Sequence, residues 1–122
     1  MRLIIGGISS GKLDYIRQLG FTEKEIFDCR TGEPAQMEAF PVIYKLNQLI
    51  YRMLKASQDP WELLKFDWRN KTVACDEVGC GIVPVDPVEL EYREQVGRIC
   101  CELAKHAEFV ERMYCGVATR IK

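Results

Sequence analysis

The first thirteen residues constrain this chain more than any other stretch. Met1-Arg2-Leu3-Ile4-Ile5 is a short apolar run with the character of a strand. Gly6-Gly7-Ile8-Ser9-Ser10-Gly11-Lys12 follows directly, and a helical pattern begins after it. Strand, G-x-x-x-x-G-K and helix, in that order, is the arrangement of a phosphate-binding loop. Glycines allow the backbone to fold back so that several N–H groups point at one phosphate. The start of the helix adds the positive end of its dipole. The segment therefore predicts a nucleoside triphosphate site on Gly6, Gly7, Ile8, Ser9, Ser10, Gly11, Lys12 and Leu13, with Lys12 reaching the terminal phosphates. One position departs from the motif. Ser or Thr normally follows the lysine and offers a hydroxyl to Mg²⁺, whereas Leu13 has no oxygen. A cradle without that ligand is expected to bind nucleotide and turn it over poorly.

A chain of 122 residues favours a single domain, 1–122, around one core. Its hydrophobic fraction of 48% and charged fraction of 29% are ordinary for a globular protein. The net charge of -1 gives no global basic field, so neither nucleic acid nor a membrane surface is expected as a partner. No apolar run approaches the length of a bilayer span, no signal-peptide pattern precedes the first strand, and a cytoplasmic setting is the expectation. The six cysteines, Cys29, Cys75, Cys80, Cys100, Cys101 and Cys115, include no C-x-x-C pair. With a single histidine beside them, their spacing argues against a zinc or redox module. They read as reduced thiols acting as small hydrophobes.

Along the chain, Asp14 to Leu19 continues the helix, and Gly20 stops it. Glu25-Ile26-Phe27-Asp28 is a weakly signalled second strand, and Cys29 to Pro34 a loop. From Gln36 to Ala56 apolar residues recur at spacings of three and four (Phe40, Ile43, Tyr44, Leu46, Leu49, Ile50, Met53, Leu54), which predicts one helix with Pro41 in its first turn. Asp59 caps a short helix through Phe66. Lys71 to Cys75 is a strand, left through a Gly-rich loop over residues 76–84. Asp86-Pro87 opens a long helix to His106, and Phe109 to Tyr114 and Val117 to Ile121 form a closing hairpin. Strands alternating with helices predict an α/β fold: a mainly parallel sheet flanked by helices, with a C-terminal antiparallel hairpin. Ligands of such sheets sit beyond the C-terminal strand ends.

Two of those ends carry chemistry. One bears the loop ending in Lys12. The other bears Asp76-Glu77, an acidic pair after an apolar strand, suited to holding Mg²⁺ or accepting a proton from an attacking hydroxyl. Lys12, Asp76 and Glu77 are thus the candidate catalytic residues, and Asp76 and Glu77 the candidate metal ligands. Along a continuing strand the two carboxylates diverge, so only one faces the site. His106 reads as a helix-terminal residue near the negative end of the dipole. Trp61, Phe66 and Trp68 suit either a core cap or the wall of a flat ligand.

Two segments resemble a known family. The loop Gly6 to Lys12, and more strongly Asp76-Glu77-Val78-Gly79-Cys80-Gly81-Ile82-Val83-Pro84, resemble the bifunctional adenosylcobinamide kinase / adenosylcobinamide-phosphate guanylyltransferase (CobU-type) family, whose signature is N-E-V-G-x-G-I/V-V-P. Gly97-Arg98 and the ending Thr119-Arg120-Ile121-Lys122 also fit. The likeness covers the first dozen residues and roughly the last fifty. It implies a RecA-like P-loop NTPase domain, a homo-oligomer, and Mg²⁺-dependent transfer of phosphate from GTP or ATP to the hydroxyl of adenosylcobinamide in cobalamin biosynthesis. It also implies GMP transfer through a guanylylated histidine, but this chain has no histidine in the matching stretch, so that activity is expected to be lost. Ser9 stands where the family has arginine, Cys100-Cys101 where it often has Asn-Gln, and Leu13 removes the Mg²⁺ hydroxyl. The alternative is a non-catalytic nucleotide-binding or regulatory protein.

Overall fold

The computed structural model describes residues 1–79 and 86–122. Their elements are β1 (Arg2–Gly6), α1 (Lys12–Gln18), β2 (Ile26–Asp28), β3 (Val42–Tyr44), α2 (Leu46–Lys55), β4 (Thr72–Asp76), α3 (Pro87–His106), β5 (Phe109–Tyr114) and β6 (Val117–Arg120). Short 3₁₀ turns at Glu23–Glu25, Pro34–Ala39 and Pro60–Lys65 complete the chain. The strands form one sheet in the order β2-β3-β4-β1-β5-β6. All pairs are parallel except β5 with β6. The α/β architecture with a C-terminal antiparallel hairpin is as expected. Residues 80–84 of the expected Gly-rich loop lie outside the described residues.

Alternation along the strands divides the core in two. Leu3, Ile43, Val73, Cys75 and Val110 face one way and pack with Leu46, Leu49 and Ile50 of α2 and with Val96, Ile99 and Leu103 of α3. Ile4, Val42, Ala74 and Met113 face the other way, against Ile16 of α1. The loop after β1 therefore leads to one face and the loop after β4 to the other. Two adjacent parallel strands whose crossovers diverge leave a crevice at their C-terminal ends, the place where open α/β sheets take ligands.

The stretch Gln36–Ala56 is not one helix. It contains the Pro34–Ala39 turn, the strand β3 and then α2 from Leu46. The spacing that suggested a helix arises because Ile43 of β3 and Leu46, Leu49 and Ile50 of α2 face the same core. Val42 and Ile43 are fully buried on opposite faces of a central strand, so no polar residue marks its alternation. Lys45, with φ 59° and ψ 53°, turns the chain from β3 into α2.

The other helix limits match their local chemistry. Gly20 (φ 104°) follows α1 in the left-handed conformation typical of a helix stop. Asp59 and Asp86 cap their segments by accepting from Trp61 N at 3.0 Å and Val88 N at 2.9 Å. Cys29 and Cys75 are buried in the core, and all five described cysteines are free. No helix among the described residues is long and apolar enough to cross a membrane.

Candidate functional site

The crevice is built from three strand ends. β1 runs into the loop that ends at Lys12, β3 ends at Tyr44 and delivers Lys45, and β4 ends at Asp76. Ser9 to Asp14, Tyr44, Lys45 and Asp76 line a cleft of about 340 Å³. The loop is braced from two sides. Ser10 N donates to Gly7 O at 3.2 Å, and Gly116 N, in the β5–β6 turn, donates to Ser10 O at 2.9 Å. Gly11 (φ 97°) lies so close to this turn that a Cβ would sit 3.0 Å from Gly116 Cα. Beneath the loop, a Cβ on Gly6 would sit 2.6 Å from Ser10 Oγ and 2.8 Å from Met113 O. Backbone cannot yield there cheaply, so Gly6→Ala is expected to cost about 1–3 kcal/mol, read from urea unfolding. A cost below a few tenths of a kcal/mol would mean that the loop is not packed this closely.

Lys12 folds inward rather than out to solvent. Its Nζ donates to Gly6 O at 2.9 Å, Gly7 O at 2.6 Å and Ser10 Oγ at 3.3 Å. It also lies 2.8 Å from Asp76 Oδ1, and the two side chains are 3% and 1% exposed. Asp76 is the centre of the cluster. Lys45 Nζ donates to its Oδ2 at 3.0 Å, and Asn47 Nδ2 reaches the same oxygen at 3.3 Å. Asn47 Oδ1 accepts from Asp76 N at 3.0 Å, and Asn47 Nδ2 also donates to Tyr92 Oη at 3.1 Å. Burial pushes the Asp76 carboxyl up, but hydrogen bonds and charge from Lys12 and Lys45 outweigh it, and the net shift is downward.

Glu77 points away from Asp76, as strand alternation requires. Its carboxylate pairs with Arg112 of β5, at 3.0 Å from Nε and 3.2 Å from Nη2. It lines a second cavity, of about 360 Å³, on the α3 face, with Val78, Val96, Cys100 and Arg112. Asp76 borders both cavities. His106 is remote from either. It lines a cavity of about 490 Å³ with Met1, Phe66, Trp68 and Asn70, at the N-terminal ends of the parallel strands. Trp68 is buried with its Nε1 donating to Leu63 O at 2.9 Å, and Phe66 packs edge-on to it, 4.6 Å between centroids.

The donors for Mg²⁺ do not fit as they stand. Leu13 offers no oxygen, both Asp76 oxygens face ammonium groups, and Glu77 is engaged with Arg112 on the other face. No three His, Cys, Asp or Glu side chains converge as a metal-ligand set among the described residues. Two members of the cluster, Lys45 and Asn47, were hidden from sequence reasoning inside the expected Gln36–Ala56 helix. The signal that could have exposed them is Pro41-Val42-Ile43-Tyr44, a β-branched and aromatic run bounded by proline, followed directly by Lys45-Leu46-Asn47.

No protein-family model matches the chain, and no curated protein matches it.

Proposed function

We propose that the cleft between residues 9–14 and the ends of β3 and β4 binds the phosphates of a nucleoside triphosphate, with residues 6–13 acting as a P-loop in a RecA-like NTPase domain. The observation that carries this reading is the buried Lys12 ammonium, held between the loop carbonyls and the Asp76 carboxylate at the sheet's C-terminal edge. The first amides of α1 have no partner within the helix, and their residues, Lys12 to Asp14, line the same cleft. Lys12 and Lys45 against Asp76 leave one positive charge in excess, and the other acid of the lining, Asp14, is paired with Arg17 at 3.0 Å. An anion compensates that excess.

Binding without rapid turnover is the form the geometry favours. A carboxylate held by two ammonium groups, with its proton affinity lowered, is a poor general base. The catalytic form is a kinase acting on adenosylcobinamide, which the family resemblance supplies. One observation favours it: the cavity on the α3 face reaches Asp76 from the opposite side, where an acceptor hydroxyl would approach. Guanylyl transfer through a histidine has no support, because His106 lies at the far end of the strands. Calorimetric titration of the full chain with ATP and with GTP tests the proposal, saturable 1:1 binding of at least one being the expected result. Failure of both overturns it. An assay of phosphate transfer to adenosylcobinamide then separates kinase from binding protein.

A further inference from the structure

We infer that Lys45 stands in for the divalent cation of this site, so that the cleft takes the free polyphosphate of a nucleotide rather than its Mg²⁺ complex. The inference rests on the nucleotide-binding reading and concerns how the same site neutralises its ligand. In nucleotide sites of this type a divalent cation bridges phosphate oxygens, anchored by a hydroxyl and a carboxylate. Here the hydroxyl is missing at Leu13, and the carboxylate oxygen left over by Lys12 is occupied by the Lys45 ammonium.

The two lysines differ in what they have left to offer. An ammonium carries three N–H donors. Lys12 Nζ has four oxygens within reach, from Gly6, Gly7, Ser10 and Asp76, so its donors are all engaged within the protein. Among the described residues Lys45 donates only to Asp76 Oδ2, which leaves two donors for a ligand. Its side chain is 14% exposed and lines the cleft. Anchored by Asp76 on one side, it presents a positive charge to the cleft on the other, which is the role a carboxylate-bound metal ion plays. The Tyr44 ring, 5.7 Å from Nζ, adds a second favourable contact for the cation. The left-handed backbone at Lys45 places the side chain at the strand end instead of along α2.

The test is calorimetric titration of the full chain with ATP and with GTP, in EDTA and in excess Mg²⁺. The expected result is an affinity in EDTA at least equal, within about threefold, to that in Mg²⁺. Lys45→Asn removes the charge while keeping a residue that tolerates the left-handed conformation. It is expected to bind about tenfold or more weakly in EDTA and to regain affinity when Mg²⁺ is added, because Asp76 Oδ2 is then open to the ion. Binding by the wild type only in Mg²⁺ overturns the inference and leaves the nucleotide reading standing. Metal-independent binding that Lys45→Asn leaves unchanged overturns the role of Lys45. No binding in either buffer overturns both readings. If Lys45→Asn does not fold, judged by its thermal transition, the wild-type comparison of EDTA with Mg²⁺ decides alone.

Discussion

Asp76→Ala is expected to lower the free energy of unfolding by about 3–5 kcal/mol, the usual consequence of removing one partner from a buried ion pair. The magnitude follows from what is left behind. Lys12, 3% exposed, is held by the loop, so its charge would remain against two carbonyls and a hydroxyl with no carboxylate to balance it. Lys45 can swing outward, and Asn47 would lose the carboxylate that fixes its amide. Urea unfolding monitored by far-UV circular dichroism measures the loss. The double variant Lys12→Met/Asp76→Leu removes both buried charges and is expected to recover most of it, because the cost lies in the unpaired ion rather than in the missing contact. A cost below about 1 kcal/mol for Asp76→Ala would mean that the cluster behaves as a solvated surface pair.

The same cluster predicts an acid limb. The Asp76 carboxyl is shifted down from its ordinary value of 3.8, so the folded state holds its proton less tightly than the unfolded chain. Its contribution to stability is present in full above the unfolded value and is lost as pH falls through the lower, folded one. Asp76→Asn should therefore flatten the fall in stability below about pH 4.

Much of this arrangement is visible in the sequence because each visible part is specified locally. The run Leu3-Ile4-Ile5 followed by Gly6 and Gly7 can hardly be other than a strand entering a tight loop. Asp86-Pro87 and the spacing to His106 fix a helix by cap and period together. The divergence of Asp76 from Glu77 follows from strand geometry alone. The Lys45 corner is specified differently. It depends on a three-residue strand, Val42 to Tyr44, whose Val42 and Ile43 are buried by neighbours far away in the chain, and on one residue at positive φ whose identity gives no warning. Glycine or asparagine would have marked that turn, and lysine does not. The bracing of the loop by Gly116 was equally hidden, since nothing local to residues 6–12 points to a turn more than a hundred residues later. The site is thus half a local motif and half a product of tertiary packing.

Lys12→Met is expected to weaken nucleotide binding about 100-fold or more, the largest functional effect of any single substitution in the cleft. Two contributions act together. The first is the lost charge. Without Lys12 the local excess of one positive charge disappears, and the ligand meets Asp76 balanced by Lys45 alone. The second is exposure of the oxygens that Lys12 now covers. Gly6 O and Gly7 O, at 2.9 and 2.6 Å from Nζ, would be left without their donor beside an anion. A hundredfold loss corresponds to about 2.8 kcal/mol, shared between the lost charge and the two uncovered carbonyls. Lys12→Arg is not expected to rescue binding, because a planar guanidinium does not fit a socket built around a single ammonium nitrogen. Titration with ATP and GTP measures the effect. It should be accompanied by the unfolding curve, since the substitution leaves Asp76 with one cation fewer. The double variant Lys12→Met/Asp76→Asn controls for the fold and is expected to bind better than Lys12→Met but more weakly than wild type, because Lys45 then restores the local excess of one positive charge while the two carbonyls stay uncovered. Wild-type affinity in a folded Lys12→Met protein would remove the loop from nucleotide binding altogether.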